Sequence, residues 1–174
     1  VFDIARVCTR LRMQFVTKRI GNVPDMLPHD WRENFGHCGI IATMVTQAEV
    51  ERDMPKLIEA KKMGTRWVGL SIEPQIELID LRAWLPHIDW VITGGESAQP
   101  HHKPRPYDMA WALSLIEQCR DLDVPVFVKQ LGDDVMFDGD RKRWTFTGKA
   151  DGVARLAARA AIPEGVRPCG VTSR

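Results

Sequence analysis

Five short apolar segments of this sequence end in side chains that could bind a ligand or take part in a reaction. The fourth runs into two glycines, a carboxylate and a hydroxyl, and the fifth ends on a lysine and a glutamine. Carboxylates can act as bases or hold amines and hydroxyls, lysines neutralise anions, and glycines leave backbone N–H groups accessible. Several such endings together are typical of an active site. In chain order, the candidate ligand-binding residues are Lys18, Arg19, Thr43, Ser71, Glu73, Gly94, Gly95, Glu96, Ser97, Lys129 and Gln130.

Three of these side chains are also candidates for catalysis, namely Glu73, Glu96 and Lys129. Pro74 keeps Glu73 extended, so we expect its carboxylate to project at a strand end. There it could bind a ligand amine or hydroxyl, or act as a base. The alternative is a structural ion pair with a lysine or with Arg19. The sequence assigns no catalytic role to any of the three.

The Gly94–Gly95 pair has two interpretations that the sequence leaves open. Its backbone N–H groups could face an anion or the polar edge of a ligand. The alternative is a tight turn that needs positive φ. In the same way, Glu96 and Ser97 either contact a ligand or cap that turn. The basic strand ends suit a phosphate or carboxylate ligand, or they form a solvated rim.

The apolar segments that precede these residues have the pattern of buried parallel strands. They are continuous rather than alternating, and the segments between them are long enough for crossover helices. Thr46 and Glu49 form a capping box, Gly64 suits a helix end, and Asp108 is a candidate N-cap. Parallel strands end at one edge of a sheet, so we expect the candidate residues to converge there. The predicted strands are 13–18, 38–44, 67–72, 89–94 and 124–129.

The fold class that follows is α/β, with a five-stranded parallel βα repeat that resembles a partial (β/α)8 TIM-like barrel. We expect residues 1–162 to form one domain, decorated by a hairpin or loop at 133–150 and ending in a last helix from Asp151 to Pro163. Residues 163–174, rich in glycine, proline and arginine, are expected to be a flexible tail.

Composition limits the class of protein further. The net charge of +1 gives no support for a nucleic-acid or membrane partner, although the basic stretch at 140–144 keeps nucleic acid open. No run of apolar residues is long enough for a membrane helix, and no signal peptide is recognisable, so we expect a cytoplasmic protein. The four cysteines show no C-x-x-C spacing. We therefore expect reduced thiols and no metal site.

The series of strand endings resembles one known family. The blocks "FVTKR", "TMVTQAEVERDMPKL", "LSIEP", "IDWVITGGES" and "VPVFVKQLG" occur in the order typical of the phage-associated gp thirty-seven and gp sixty-eight family, over roughly residues 12–133. Members of that family look like relatives of radical S-adenosylmethionine enzymes. The resemblance implies a (β/α) barrel with a [4Fe–4S] cluster, held by cysteines at close spacing near the N-terminus.

This sequence departs from the family pattern at that cluster motif. None of its four cysteines replaces the motif, and the chain corresponds to the C-terminal part of a barrel, as if the first three strands were missing. We therefore expect no cofactor in this chain. S-adenosylmethionine and a [4Fe–4S] cluster would be possible only in a full-length form.

The leading hypothesis is a phage-related protein of uncharacterised function that keeps a site for a small anionic ligand at the strand ends. It would be inactive in radical chemistry without the cluster region. One alternative is a non-enzymatic binding or assembly module, and another is a metal-free barrel enzyme acting on a phosphorylated small molecule. Whether this chain is an enzyme stays open. The exposed edges of a partial barrel predict a homo-oligomer.

Overall fold

The computed structural model describes residues 1–136, and within them the predicted parallel sheet is confirmed. Its strands are β1 (Met13–Thr17), β2 (Cys38–Thr43), β3 (Trp67–Ile72), β4 (Trp90–Gly94) and β6 (Val126–Gln130). They pair in parallel in the order β1-β2-β3-β4-β6. A separate two-residue pair joins β5 (Tyr107–Asp108) to β7 (Val135–Met136). The helices are α1 (Phe2–Val7), α2 (Val23–Met26), α3 (Trp31–Asn34), α4 (Gln47–Lys62) and α5 (Met109–Asp121), with 3-10 turns at Ile20–Asn22 and Leu85–His87.

The strand order follows the chain order without reversal, as it does in (β/α) barrels and unlike the order of doubly wound sheets. The class α/β with a five-stranded parallel sheet is thus established. Among the described strands, β1 and β6 each have one neighbour in this sheet. Of the predicted decoration at 133–150, residues 133–136 are described and include β7. The rest of it, the last helix and the tail lie outside the described residues.

The two long helices begin where the sequence predicts. The Thr46 side chain accepts from the Glu49 N–H at 3.2 Å and caps α4, while the Glu49 carboxylate accepts from the Val45 N–H at 2.7 Å. The Asp108 carboxylate caps α5 by accepting from the Ala110 N–H at 2.9 Å. Each cap satisfies a backbone donor that the first helical turn leaves without an intrahelical partner.

The main core lies between the sheet and these helices. Side chains such as Leu70, Val91 and Leu115 are fully buried there. The crossover after β3 is tied to α5 by the buried amide of Gln118, which accepts from the Leu81 N–H at 2.6 Å and donates to the Ile79 carbonyl at 3.0 Å. That crossover holds one 3-10 turn, consistent with the short or irregular connection that its length predicts. No described helix is long and apolar enough to cross a membrane.

Candidate functional site

The carboxyl ends of β3, β4 and β6 lie side by side, because β4 pairs with both of the others. Ser71 on β3 is in register with Ile92 on β4, which is in register with Phe127 on β6. Nearer the carboxyl edge lie Glu73, Gly94 and Lys129. A register shift after Thr93 pairs Gly94 with Gln130, so Lys129 lies in the irregular part of the β4–β6 pairing. The order of the strands therefore brings together groups that are more than fifty residues apart in sequence.

Glu73 and Lys129 meet across the end of β4. The Lys129 ammonium is 3.3 Å from Glu73 Oε1, and the Ser71 hydroxyl donates to Glu73 Oε2 at 3.3 Å. The Lys129 side chain is 56% exposed and that of Glu73 is 19% exposed. The ion pair that sequence reasoning left as an alternative is therefore present. Both charged groups still keep a side toward solvent, where a ligand could reach them.

Gly94 provides the space for this pair. A Cβ atom there would lie 3.1 Å from Glu73 Oε1 and 2.9 Å from the Gln130 carbonyl oxygen. At Gly95 a Cβ atom would lie 2.1 Å from the Leu131 carbonyl oxygen. Neither glycine has positive φ, so the turn interpretation that required it is wrong. Both positions need glycine because backbone approaches closely there.

The Gly95 N–H group is not offered to a ligand. It donates to the Gln130 carbonyl at 2.9 Å, and the Gln130 side chain donates back to the Gly95 carbonyl at 3.1 Å. Gln130 therefore joins β4 to β6 through its backbone and its side chain. This contact uses one of the two N–H groups of the side-chain amide, so it does not exclude the predicted contact with the edge of a ligand.

Ser71, Glu73 and Lys129 form a first cluster. Glu96 belongs to a second cluster, in the loop that follows β4. Its carboxylate accepts from the Arg105 backbone N–H at 2.9 Å and from the Arg105 guanidinium at 3.1 Å through each oxygen. His102 Nε2 is 3.2 Å from Glu96 Oε1. The hydrogen bonds from Arg105 lower the pKa of Glu96 to about 2. Since it stays ionised and fully engaged near neutral pH, Glu96 is poorly suited to act as a general base.

This second cluster holds the loop that follows β4. His102 is exposed on this loop, and the sequence gives no sign of its contact with Glu96. The Glu96 carbonyl also accepts from the Asp133 N–H at 3.0 Å, and Asp133 accepts from the Ala98 N–H at 2.7 Å. Glu96 thus connects the loops after β4 and β6, a structural role that leaves Glu73 as the carboxylate available to a ligand.

Two buried polar residues, Thr93 and Gln75, support the first cluster. The fully buried Thr93 hydroxyl donates to the Gln75 side chain at 2.8 Å, and the Gln75 N–H donates to the Gly94 carbonyl at 2.9 Å. These bonds hold the segment that carries Glu73 against the end of β4. Neither residue was predicted. Thr93 was visible only as a polar side chain inside an apolar strand, and that pattern does not identify its partner.

Of the other predicted residues, two lie away from the Glu73–Lys129 pair and two lie beside residues of the two clusters. Lys18 and Arg19 are exposed at the end of β1, two strands away from β3, and the Arg19 N–H donates to the Thr17 hydroxyl at 3.0 Å. Thr43 is half-buried and in register with Ser71. Ser97 is half-buried and directly follows Glu96. The structure brings neither Lys18 nor Arg19 to Glu73.

Two of the three described cysteines do not fit an iron–sulfur cluster. Cys38 and Cys119 are buried in the core between the sheet and the helices, where burial raises the pKa of both thiols, that of Cys119 to about 12. A cluster needs accessible thiolates at close spacing, whereas these two groups stay protonated in apolar surroundings. Within residues 1–136, no group of three histidine, cysteine or acidic side chains could hold a metal ion.

Comparison with known proteins gives a family without an assigned activity. Residues 1–156 match the model of a family described as "Protein of unknown function (DUF5131)". Searches of curated proteins and of solved structures found no match. The chemistry of this chain therefore has to be argued from its own residues.

Proposed function

The chain belongs to DUF5131, a family of proteins of unknown function, and we propose that it binds a small anionic ligand at the carboxyl edge of its sheet. The observation that carries the proposal is the Glu73–Lys129 pair above Gly94. Lys129 would neutralise the anionic group. Glu73, oriented by Ser71, would accept a hydrogen bond from a hydroxyl or amine of the same ligand.

The energetics of the pair favour this role. An ion pair between solvent-exposed side chains contributes about 0–1 kcal/mol, so it is exchanged for contacts with a ligand at little cost. Lys129 is more than half exposed and can move toward an incoming anion. Glu73 is held more firmly, because Ser71 and the segment anchored by Gln75 position it. A held carboxylate beside a movable ammonium suits a ligand that carries both a donor and a negative charge.

We also propose, from the resemblance and the sequential strand order, that the sheet is the C-terminal part of a phage-related, radical-SAM-like barrel. Cys38 and Cys119 do not fit the cluster of such enzymes, so no radical step is proposed for this chain. The ligand-binding proposal does not depend on that relationship. It requires only the strand ends of β3, β4 and β6.

Calorimetric titration with a panel of anions tests the binding proposal. The panel consists of inorganic phosphate, glucose 6-phosphate and adenosine monophosphate. S-adenosylmethionine, which has a carboxylate but a net positive charge, is titrated beside them. We expect saturable binding of at least one anion, weakened tenfold or more in Lys129→Met and in Glu73→Gln. The matched controls are Lys62→Met and Glu59→Gln, which remove an exposed ion pair of the same kind on α4. Absence of saturable binding, or equal losses in all four variants, would refute the proposal.

A second candidate function is self-association, and one observation favours it. Several large apolar side chains at the β1 end of the sheet are exposed: Ile4 (59%), Val7 (78%), Leu11 (59%) and Val16 (61%). They belong to α1, to the open-edged strand β1 and to the link between the two. Light scattering should show a dimer or larger species that Val7→Lys together with Val16→Lys converts to monomer. A wild-type monomer with a cooperative melt would exclude this function.

A further inference from the structure

The two faces of the sheet differ in what they bury. On one face, Leu70 and Val91 pack against the helices and are fully buried. On the opposite face, Trp67, Trp90, Ile92 and Phe127 are only partly buried, although each is large and apolar. Parallel sheets are ordinarily covered on both faces, so side chains of this kind left partly accessible need an explanation.

The glycines on this second face are buried beneath neighbouring side chains and backbone. A Cβ atom at Gly39 would lie 2.1 Å from the Trp67 indole, which shows that the indole lies flat over that position. A Cβ atom at Gly69 would lie 3.3 Å from Ile41 and 3.6 Å from the Trp90 Cβ. Trp67 and Trp90 lie with their ring centroids 6.4 Å apart. The amino end of this face is therefore aromatic.

Polarity changes along the strands of the same face. Ile92 and Phe127 are neighbours in register. Beyond them the pairing of β4 with β6 shifts register after Thr93, and the Glu73–Lys129 pair lies at this irregular end. Two residues of a strand rise about 7 Å, so the apolar row begins within the length of a small molecule from the charged pair. The apolar surface thus adjoins an ion pair that offers one ammonium and one carboxylate group.

We propose that the ligand is a small acid with a hydroxyl group next to its anionic group and an aromatic body that rests on Ile92 and Phe127. This inference rests on the proposed function and adds the chemical class of the ligand. The acid group contacts Lys129, the hydroxyl donates to Glu73, and the ring covers apolar surface that is otherwise partly exposed.

Two acids that share the head group separate the inference from the binding proposal. Lactate has the carboxylate and the neighbouring hydroxyl, and 3-phenyllactate adds the ring. Burial of about half of a phenyl ring corresponds to an affinity gain of about tenfold. Calorimetry on the wild-type protein should therefore give a dissociation constant for 3-phenyllactate about tenfold or more below that for lactate.

Variants on the two faces provide the control. Phe127→Ala and Ile92→Thr should reduce the ratio of the two dissociation constants to about threefold or less. Phe127→Leu should keep most of the ratio, since it preserves an apolar surface at the same position. Phe15→Ala removes the same ring from β1 on the opposite face, where Phe15 packs against the main core, and should keep the full ratio. A circular dichroism melt of each variant identifies any that fail to fold.

The possible outcomes distinguish the two proposals. If both acids bind with equal affinity to the wild-type protein, the aromatic body is excluded and the anion site remains. If the ratio survives in Phe127→Ala and in Ile92→Thr, the ring lies elsewhere and the inference is overturned. If Lys129→Met weakens lactate binding, and only the Phe127 and Ile92 variants lower the ratio of dissociation constants, then the acid group binds at Lys129 and the ring on Phe127 and Ile92, as proposed.

Discussion

Replacing Gly95 by alanine should break the junction between β4 and β6. The added Cβ atom would lie 2.1 Å from the Leu131 carbonyl oxygen and 3.0 Å from the Tyr107 Cβ, whereas ordinary contact begins at 3.4 Å. Neither neighbour is the flexible end of a side chain. The backbone of β6 would have to move, although the Gly95 N–H group and the Gln130 carbonyl hold it at 2.9 Å.

The magnitude follows from two opposing effects. Forcing a methyl group into well-packed surroundings costs about 1–3 kcal/mol, and more where backbone must shift. Replacing glycine by alanine gains about 0.4–1 kcal/mol, because the unfolded chain loses conformational freedom. We therefore expect Gly95→Ala to lower the free energy of unfolding by about 3 kcal/mol. Gly94→Ala, whose nearest contact is 2.9 Å, should cost about 1–2 kcal/mol.

Gly36 offers the matched control, since a Cβ atom there meets nothing within 4 Å. Gly36→Ala should leave the free energy of unfolding unchanged or raise it by up to about 1 kcal/mol. Urea denaturation followed by circular dichroism measures all three variants at one pH. Equal stabilities of Gly95→Ala and Gly36→Ala would mean that close approach of the backbone does not explain the glycine at position 95.

Three further predictions concern the supports of the site. Glu96 has a folded-state pKa of about 2 against an ordinary 4.5, so its stabilisation is complete above about pH 4.5 and is lost as the pH falls toward 2. Urea melts of Glu96→Gln should accordingly show a flatter pH dependence in that interval, and an unchanged slope would contradict this. Asp108→Ala should cost about 1 kcal/mol through loss of the α5 cap, whereas Asp108→Asn should keep most of the stability; equal losses would argue against capping. Gln118→Leu should cost about 2–3 kcal/mol, because the Leu81 N–H is left buried without its partner, and a loss under 1 kcal/mol would contradict the anchoring role.

The sheet could be predicted because its strands are continuous apolar runs with long intervening segments, a pattern that few arrangements satisfy. Once the strands are parallel, Ser71, Glu73, Gly94 and Lys129 must lie near one edge, and three adjacent strands bring them into contact. The sequence alone does not fix the strand order. It therefore could not show that Lys18 lies two strands away from Glu73.

The roles of Glu73 and Glu96 could not be separated from the sequence. Both carboxylates follow a strand, but the partner of Glu96 is Arg105, nine residues along an irregular loop whose path depends on the packing around it. The need for glycine at Gly94 and Gly95 was recognised, yet its cause was close approach by β6, which only the three-dimensional arrangement reveals. Buried amides such as Gln118 leave no periodic signal in a sequence.

The unbroken strand order has a consequence for how the sheet forms. Each strand after β1 pairs with the strand that precedes it in the same sheet, so no strand has to wait for a partner made later in synthesis. Pairings between neighbouring segments close short loops, which lowers the entropic cost of each step compared with a sheet whose order reverses. The sheet can therefore grow during translation one βα unit at a time, with the newest strand always forming the growing edge.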